Sequence, residues 1–293
     1  MGDPAIGDTD LLSTVEGVVM IIGAPDSGKT TLARKLADAA LQDRRTVAYI
    51  DSDLACTTVG PPTCVGLKWL RSPADMADLA QADDLRFVGS IRPDRFILQQ
   101  VAGVASLVET ARTEADLIVI DTSGTVSGVV GQRLKYHKAE LVRPDTVWAV
   151  QRGGELEPLI GLLRRFLSAN VVTVAANRGG LPMSPEERVE VRAARFAAAF
   201  PAPLQRWRVL PTVFAPSLPA GFDLVRLHRM IVGVHDRQGR CLCLGMLEYD
   251  EVLRVITSGN QGMAGLQIGS VRLDPETFRT TSVRLNELMF GLG

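Results

Sequence analysis

The sequence predicts an α/β chain: a mostly parallel sheet flanked by helices, followed by a small β-rich domain at the C-terminal end. Two observations carry this. From residue 18 to residue 200, short apolar runs alternate with helical stretches, the pattern of a parallel sheet covered on both faces. After the Pro-rich stretch 211–219 the helices stop and closely spaced short strands take over. The expected parts are a flexible N-terminal segment (1–16), a principal domain (17–212) and the β-rich domain (213–293).

Taken in order, residues 18–22 (VVMII) are an apolar run suited to a strand buried on both faces. A Gly-rich turn follows, then a helix over 29–42. Residues 46–50 (TVAYI) form a second strand ending in Asp51, Ser52 and Asp53, and 85–88 a short third. Residues 95–113 read as a helix, and 117–120 (LIVI) as a buried strand ending in Asp121. Two more strands (146–150, 171–175) alternate with helices over 155–168 and 185–200. In the tail, 230–234, 241–247, 252–257 and 265–273 read as strands, with His235 to Gly239 as a hairpin turn.

The turn after the first strand carries the chemistry. Gly23, Ala24, Pro25, Asp26, Ser27, Gly28, Lys29 and Thr30 fit GxxxxGK[ST], between a buried strand and a helix as that motif requires. Its glycines let backbone N–H groups turn inward around phosphate oxygens, and the helix N-terminus adds partial positive charge. Lys29 is expected to bridge the β- and γ-phosphates of ATP or GTP. The Thr30 hydroxyl is expected to ligate Mg²⁺, with Thr31 completing the nucleotide site. The chain is thus expected to be a P-loop NTPase. Asp51, Asp53 and Asp121 end parallel strands and should share the carboxyl edge where ligands bind. One such carboxylate can hold a metal-bound water while another accepts a proton from an attacking hydroxyl; these residues alone do not assign the roles.

Composition narrows the classes. Of 293 residues, 46% are apolar, enough for a full core. No apolar run approaches the roughly 18 residues of a membrane span. The acidic start lacks the features of a signal peptide, so a soluble, cytoplasmic protein without a membrane partner is expected. The four cysteines have no zinc-site spacing. The net charge of −1 argues against broad non-specific nucleic-acid binding. Residues 121–208, however, hold 13 Lys/Arg against 8 Asp/Glu, so an anionic partner should contact the middle third.

Two basic segments lie there. Arg133, Lys135, His137 and Lys138 could bind backbone phosphates, with Tyr136 stacking on a base; the alternative is a helix with one solvated basic face. The second segment starts at Ser184, an N-cap followed by Pro185 and by Glu187 of a capping box. A helix from that point puts Arg188, Arg192 and Arg195 on one face, where guanidinium groups can grip phosphate oxygens. His228 and His235 read as surface residues, and Trp69, Trp148 and Trp207 as packing residues.

An ordered set of segments resembles the polynucleotide 5′-hydroxyl kinases, which include the kinase subunit of the pre-mRNA cleavage and polyadenylation machinery and the ribosomal-RNA-processing kinases. Asp26 within the loop gives GxxDxGKT. YIDSDLACTTVGPPTCVGL (49–67) is similar to their acidic DxDxGQ segment and PPG-type turn. FVGSIRP (87–93) resembles FxGxxxP, and IDTSGTVSG (120–128) resembles the DTxGW part of a substrate clasp. SPEERVEVR (184–192) resembles the lid with its RxxxR spacing.

This resemblance implies a kinase that moves the γ-phosphate of ATP or GTP to the 5′-hydroxyl of RNA or DNA. It implies Asp53 as general base, Asp51 nearer the metal shell, and Asp26 orienting loop and acceptor. Thr122 and Gly124 would line the acceptor strand, and Arg188 and Arg192 would close over the transferring group. Three departures stand out. Ala55 and Cys56 replace the Gly and Gln, Thr125 replaces the clasp aromatic, and only about 16 residues precede the first strand, as expected of a compact prokaryotic-type member. The alternative expectation is a nucleotide-dependent RNA-processing assembly factor with weak or no kinase activity. A GTPase switch is disfavoured, because Asn177 to Gly180 is the nearest approach to an NKxD motif.

Overall fold

The structure, a computed structural model, describes residues 12, 15–176, 182–259 and 261–291. The Asn177 to Gly180 segment and nearly all of the N-terminal segment lie outside the described residues. The first sheet contains β1 (Gly17–Gly23), β2 (Val47–Asp51), β3 (Cys64–Leu70), β4 (Asp84–Phe87), β5 (Leu117–Asp121), β6 (Thr146–Gln151) and β7 (Asn170–Ala175). They lie in the order β4-β3-β2-β5-β1-β6-β7. β2, β5, β1, β6 and β7 are parallel to one another, and β3 runs against both its neighbours.

Side-chain alternation along β1 assigns the layers. Val19 and Ile21 face α1 (Lys29–Gln42), meeting Leu32, Ala33 and Leu36. Met20 and Ile22 face the opposite layer of α2 (Ile97–Ala111), α3 (Gly128–Val142) and α4 (Glu157–Phe166), meeting residues such as Val104, Ala139 and Ile160. A ligand at the sheet's carboxyl edge therefore meets the phosphate-loop helix from one face and α2 and α3 from the other.

After α5 (Pro185–Ala199) come β8 (Gln205–Arg208), β9 (Phe214–Ala215), β10 (Met230–His235), β11 (Cys241–Asp250), β12 (Val252–Thr257), β13 (Gly265–Leu273), β14 (Thr280–Ser282) and α6 (Leu285–Phe290). The second sheet runs β14-β13-β10-β11-β12-β8, antiparallel along this path, with β9 pairing parallel beside β13. One face covers its own core of Val232, Leu247, Val255 and Ile268. The other packs Ile231, Leu244 and Met246 against Phe87 and against Phe196 and Phe200 from α5 and its end. The second sheet thus braces α5. Ser270 adds a polar tie, its N–H and hydroxyl both donating to the Gly89 carbonyl at 2.6 and 3.0 Å.

The structure adds to the sequence reading in four places. Residues 64–70 are a strand to which the sequence reading assigns no element; Gly66 and Lys68 interrupt its apolar run. β8 joins the second sheet, although it precedes the Pro-rich stretch. Trp207 on β8 is 41% exposed, whereas Trp148 is buried in β6. His235 is half-buried at the sheet–sheet contact, edge-on to Phe87, with Nδ1 3.0 Å from the Gly239 carbonyl. Among the described residues no helix is long and apolar enough to cross a membrane.

Candidate active site

β1, β2 and β5 end on one edge, and a cleft of about 880 Å³ opens there. Its walls are the loop after β1, the turns after β2 and β5, and α5. Gly28 takes φ 92°, a left-handed conformation open to glycine, and delivers the chain into α1. No side chain caps α1, so its first N–H groups are left to a ligand. Asp26 also has positive φ (56°), which turns its carboxylate toward α5. There Arg188 Nη2 meets Asp26 Oδ2 at 2.5 Å, and Arg152, at the end of β6, donates to the Asp26 carbonyl. Lys29 is buried; its Nζ donates to the Ala24 carbonyl at 2.6 Å within its own loop. Burial lowers its pKa, opposed by Asp121, Asp53 and Asp26.

The three acidic residues come together and separate by role. Asp51 is fully enclosed and occupied by its own turn. Its Oδ1 accepts from Asp53 N at 2.7 Å, and its Oδ2 from Thr58 N at 2.5 Å and Thr58 Oγ1 at 2.7 Å. Burial, with Asp121 and Asp53 nearby, raises its pKa to about 7. Asp53 Oδ1 accepts from the N–H groups of Ala55 and Cys56, both at 2.9 Å. Asp53 Oδ2 makes no hydrogen bond among the described residues, and the side chain lines the cleft. Asp121 is buried, its pKa raised by burial. Tyr49 donates to its Oδ2 at 3.3 Å, while Oδ1 has no partner among the described residues.

Asp51, expected nearer the metal shell, lines the cleft with both carboxylate oxygens engaged by its own 51–58 turn. Asp121 has the better claim to the metal side, because it neighbours the Thr30 hydroxyl and Lys29. No three His, Cys, Asp or Glu side chains among the described residues form a ready-made metal cage. Mg²⁺ fits such a site, since it commonly takes one or two protein ligands and completes its shell with phosphates and water.

The basic segment on α3 departs furthest from expectation. Lys135 and Lys138 are completely buried, not solvated or offered to a substrate. Lys135 Nζ donates to the Ser123 carbonyl at 2.7 Å, and Lys138 Nζ to Ser52 Oγ at 2.7 Å. They lie beneath the cleft floor and balance its carboxylates. Burial pushes Lys135 well below the ordinary lysine range and Lys138 to about 8, against the pull of Asp53, Asp51 and Asp121 on the latter. Arg133 is exposed but does not line the cleft. Tyr136 packs edge-on against Phe166 at 6.3 Å, and His137 pairs with Glu140 at 3.1 Å, so neither reaches the cleft.

Thr122 and Gly124 line the cleft, with structural duties as well. Thr122 Oγ1 donates to the Ile21 carbonyl at 2.7 Å, tying β5 to β1. A Cβ on Gly124 would lie 2.8 Å from Pro25 N, so only glycine lets the 122–125 segment press against the phosphate loop. The Ser184 capping box forms, with Glu187 N–Ser184 Oγ at 3.1 Å and Ser184 N–Glu187 Oε2 at 2.6 Å. Arg188, Arg192 and Arg195 all face the cleft. Sequence reasoning missed Arg152, whose place just past a parallel strand's end was the available signal. It also missed Gln100, which nothing in the local pattern marks.

Comparison with known proteins identifies the family and the fold. The family model described as mRNA cleavage and polyadenylation factor CLP1 P-loop matches residues 23–201. A polyribonucleotide 5′-hydroxyl-kinase of Thermococcus kodakarensis is 27% identical over 92% of each chain, and one of Pyrococcus abyssi 26% over 87% of each. One of Methanocaldococcus jannaschii is 31% identical, over 62% of this chain and 50% of the relative. A solved Clp1p–Pcf11p complex superposes with a TM-score of 0.70 at 14% identity, covering 90% of this chain and 77% of that one, and so supports the fold. With an α/β P-loop NTPase architecture, a C-terminal antiparallel sheet and a family match over most of its length, this chain belongs to the CLP1 P-loop family.

Proposed function

We propose that this cleft moves the γ-phosphoryl group of ATP or GTP to the 5′-hydroxyl end of a nucleic acid; its relatives are named polyribonucleotide 5′-hydroxyl-kinases. The observation that carries the reading is the half-engaged Asp53: two amides of its own turn hold one oxygen, and the other has no hydrogen-bond partner among the described residues in the cleft it shares with Lys29. A fixed carboxylate with one free oxygen is a suitable base for a hydroxyl proton.

The phosphate tail binds at the uncapped start of α1. Lys29 leaves the Ala24 carbonyl to meet the β- and γ-phosphates. The 5′-hydroxyl gives its proton to Asp53 Oδ2 as its oxygen bonds to the γ-phosphorus, and the bond to the β–γ bridging oxygen breaks, releasing the nucleoside diphosphate. Arg188, Arg192 and Arg195 stabilise the charge spread over the equatorial oxygens. Thr30 and Asp121 would hold Mg²⁺, which would supply charge neutralisation to the phosphate tail. Ala55 and Cys56 depart from the family pattern but act on Asp53 through backbone N–H groups, so the base is still clamped.

One observation favours a second reading, a nucleotide-dependent assembly factor. Thr125 stands where the clasp aromatic is expected, and no aromatic side chain lines the cleft among the described residues. Incubation with γ-labelled ATP or GTP and 5′-hydroxyl RNA and DNA oligonucleotides separates the two. The kinase reading expects label at the 5′ end and none with Lys29→Ala. Nucleotide binding without transfer to any end would support the assembly reading.

A further inference from the structure

A chain of hydrogen bonds runs from the second sheet to the carboxylate of Asp53. Ser270 on β13 donates to the Gly89 carbonyl through its N–H at 2.6 Å and its hydroxyl at 3.0 Å. Gly89, just past β4, donates to the Thr63 carbonyl at 3.0 Å, and Thr63 donates to the Leu54 carbonyl at 2.9 Å. The Leu54 carbonyl belongs to the same planar peptide group as the Ala55 N–H, and that N–H donates to Asp53 Oδ1 at 2.9 Å. Ser270, Gly89, Thr63 and Leu54 are buried, so water does not compete for these bonds. Two features show that the path is tightly constrained. Thr63 takes φ 72°, a conformation rare for a β-branched residue, at the position where a PPG-type turn has its glycine. A Cβ on Gly89 would lie 2.8 Å from Gly269 Cα, and one on Gly269 would lie 2.9 Å from the Gly89 carbonyl oxygen.

Resting on the kinase reading above, we propose that Thr63 and Gly89 are positioning residues for the base: through them the second sheet fixes the peptide group that orients Asp53, and so sets where its second oxygen meets the 5′-hydroxyl. A planar peptide group held at its carbonyl cannot rotate without breaking that bond. The direction of the Ala55 N–H is therefore fixed, and Asp53 Oδ1 with it. Neither Thr63 nor Gly89 lines the cleft, so both act through Asp53 and not on a ligand. Backbone strain of the kind at Thr63 persists only where surrounding bonds over-determine it. Three do so here: its own N–H to Leu54, and the N–H groups of Val88 (2.9 Å) and Gly89 to its carbonyl. This hold is separate from the brace on α5, which reaches the cleft through arginines. The loop after β1 takes no part in it, so nucleotide binding should not respond.

The test is a double-mutant cycle that starts at the far end of the path. Gly269→Ala places a methyl group against the Gly89 carbonyl from β13, away from the cleft. Single-turnover transfer to a 5′-hydroxyl oligonucleotide should slow by roughly 10–100-fold, as for a misplacement on the order of 1 Å, with the nucleotide dissociation constant unchanged. In an Asp53→Asn background the same substitution should slow transfer no further, because the base it misplaces is already gone. An equal further fall in that background would mean that the substitution acts through α5 or the fold at large, and would overturn the proposal. So would an unchanged rate in the otherwise wild-type chain, or a loss of nucleotide binding in proportion to rate. Should Gly269→Ala not fold, Ser270→Ala decides on the same criteria. It removes one of the two donors to Gly89, for an expected loss of roughly two- to tenfold. If wild type phosphorylates no polynucleotide end, the kinase reading fails and this proposal with it; the other contrary results leave that reading standing.

Discussion

Single residues in the cleft floor divide three negative and three positive groups among distinct tasks. Asp51 holds its turn, Asp53 offers an oxygen and Asp121 faces Thr30, with Lys29, Lys135 and Lys138 close by. An ammonium buried as Lys138 is destabilises the fold unless paired, and here its hydrogen-bond partner is a neutral hydroxyl. Its folded pKa of about 8 lies below its ordinary 10.5. Above the lower value the folded state has released a proton that the unfolded chain still holds. This group therefore adds stability as pH rises across that window, because the unfolded state binds more protons there. Lys138→Met lacks the effect. Urea unfolding near pH 8 and near pH 10.5 should show the wild-type-minus-variant stability rising with pH; a flat or falling difference would contradict the assignment. Gly124→Ala tests the close approach to Pro25. A Cβ there must displace the phosphate loop, and a displacement on the order of 1 Å at a reacting site reduces kcat/KM by roughly 10²-fold. Nucleotide titration and steady-state kinetics check this, and an unchanged kcat/KM would mean the two segments move apart freely.

Among the elements, α5 carries the most direct functional load. Its arginine face was legible in the sequence, because the capping box sets the first turn and the spacing i, i+4, i+7 follows. α3 shows the limit of that reasoning. Its buried stripe of Leu134, Lys135, Lys138, Ala139 and Val142 has helical spacing, but two of its members are lysines, which the sequence alone assigns to solvent. Only the acidic cluster beneath the cleft, assembled from β2 and β5, explains their burial. β3 was hidden for a related reason: glycine and lysine inside CVGLKWL mask a strand that β2 and β4 complete from either side. For α5 we expect Arg188→Ala to reduce kcat by about 10²–10³-fold, through lost charge stabilisation in the transition state. The Asp26–Arg188 pair is partly exposed, at 25% and 32% of the two side chains respectively, so its loss should change stability by less than about 1 kcal/mol. Thermal unfolding alongside turnover checks both; a large fall in Tm with intact kcat would make the pair structural.

Across the whole molecule, the second sheet acts on the chemistry from a distance. Ile231, Leu244 and Met246 form the seat on which Phe196 and Phe200 fix α5, and with it the three arginines over the cleft. The α/β pattern of the first unit and most strands of the second were readable from periodicity. The seat was not, because it joins residues more than thirty positions apart whose apolar character is equally explained by either core. Phe196→Ala should destabilise the protein by about 3–5 kcal/mol, the usual loss for a fully buried aromatic. In the surviving folded fraction, kcat should fall further than nucleotide affinity, since α5 loses its support while the loop after β1 keeps its own. Chemical denaturation and nucleotide titration of the variant test this, and equal losses would show that α5 is held by the first unit alone.

All three scales converge on one oxygen atom. Single-turnover transfer to a 5′-hydroxyl oligonucleotide by Asp53→Asn, alongside its nucleotide dissociation constant, tests that convergence most directly. Asparagine keeps an oxygen for the amides of Ala55 and Cys56 but removes the proton acceptor. The chemical step should slow by roughly 10²–10⁴-fold with nucleotide affinity nearly unchanged. A variant that transfers phosphate at the wild-type rate, or that loses nucleotide binding in proportion to rate, would contradict the role of Asp53 as base.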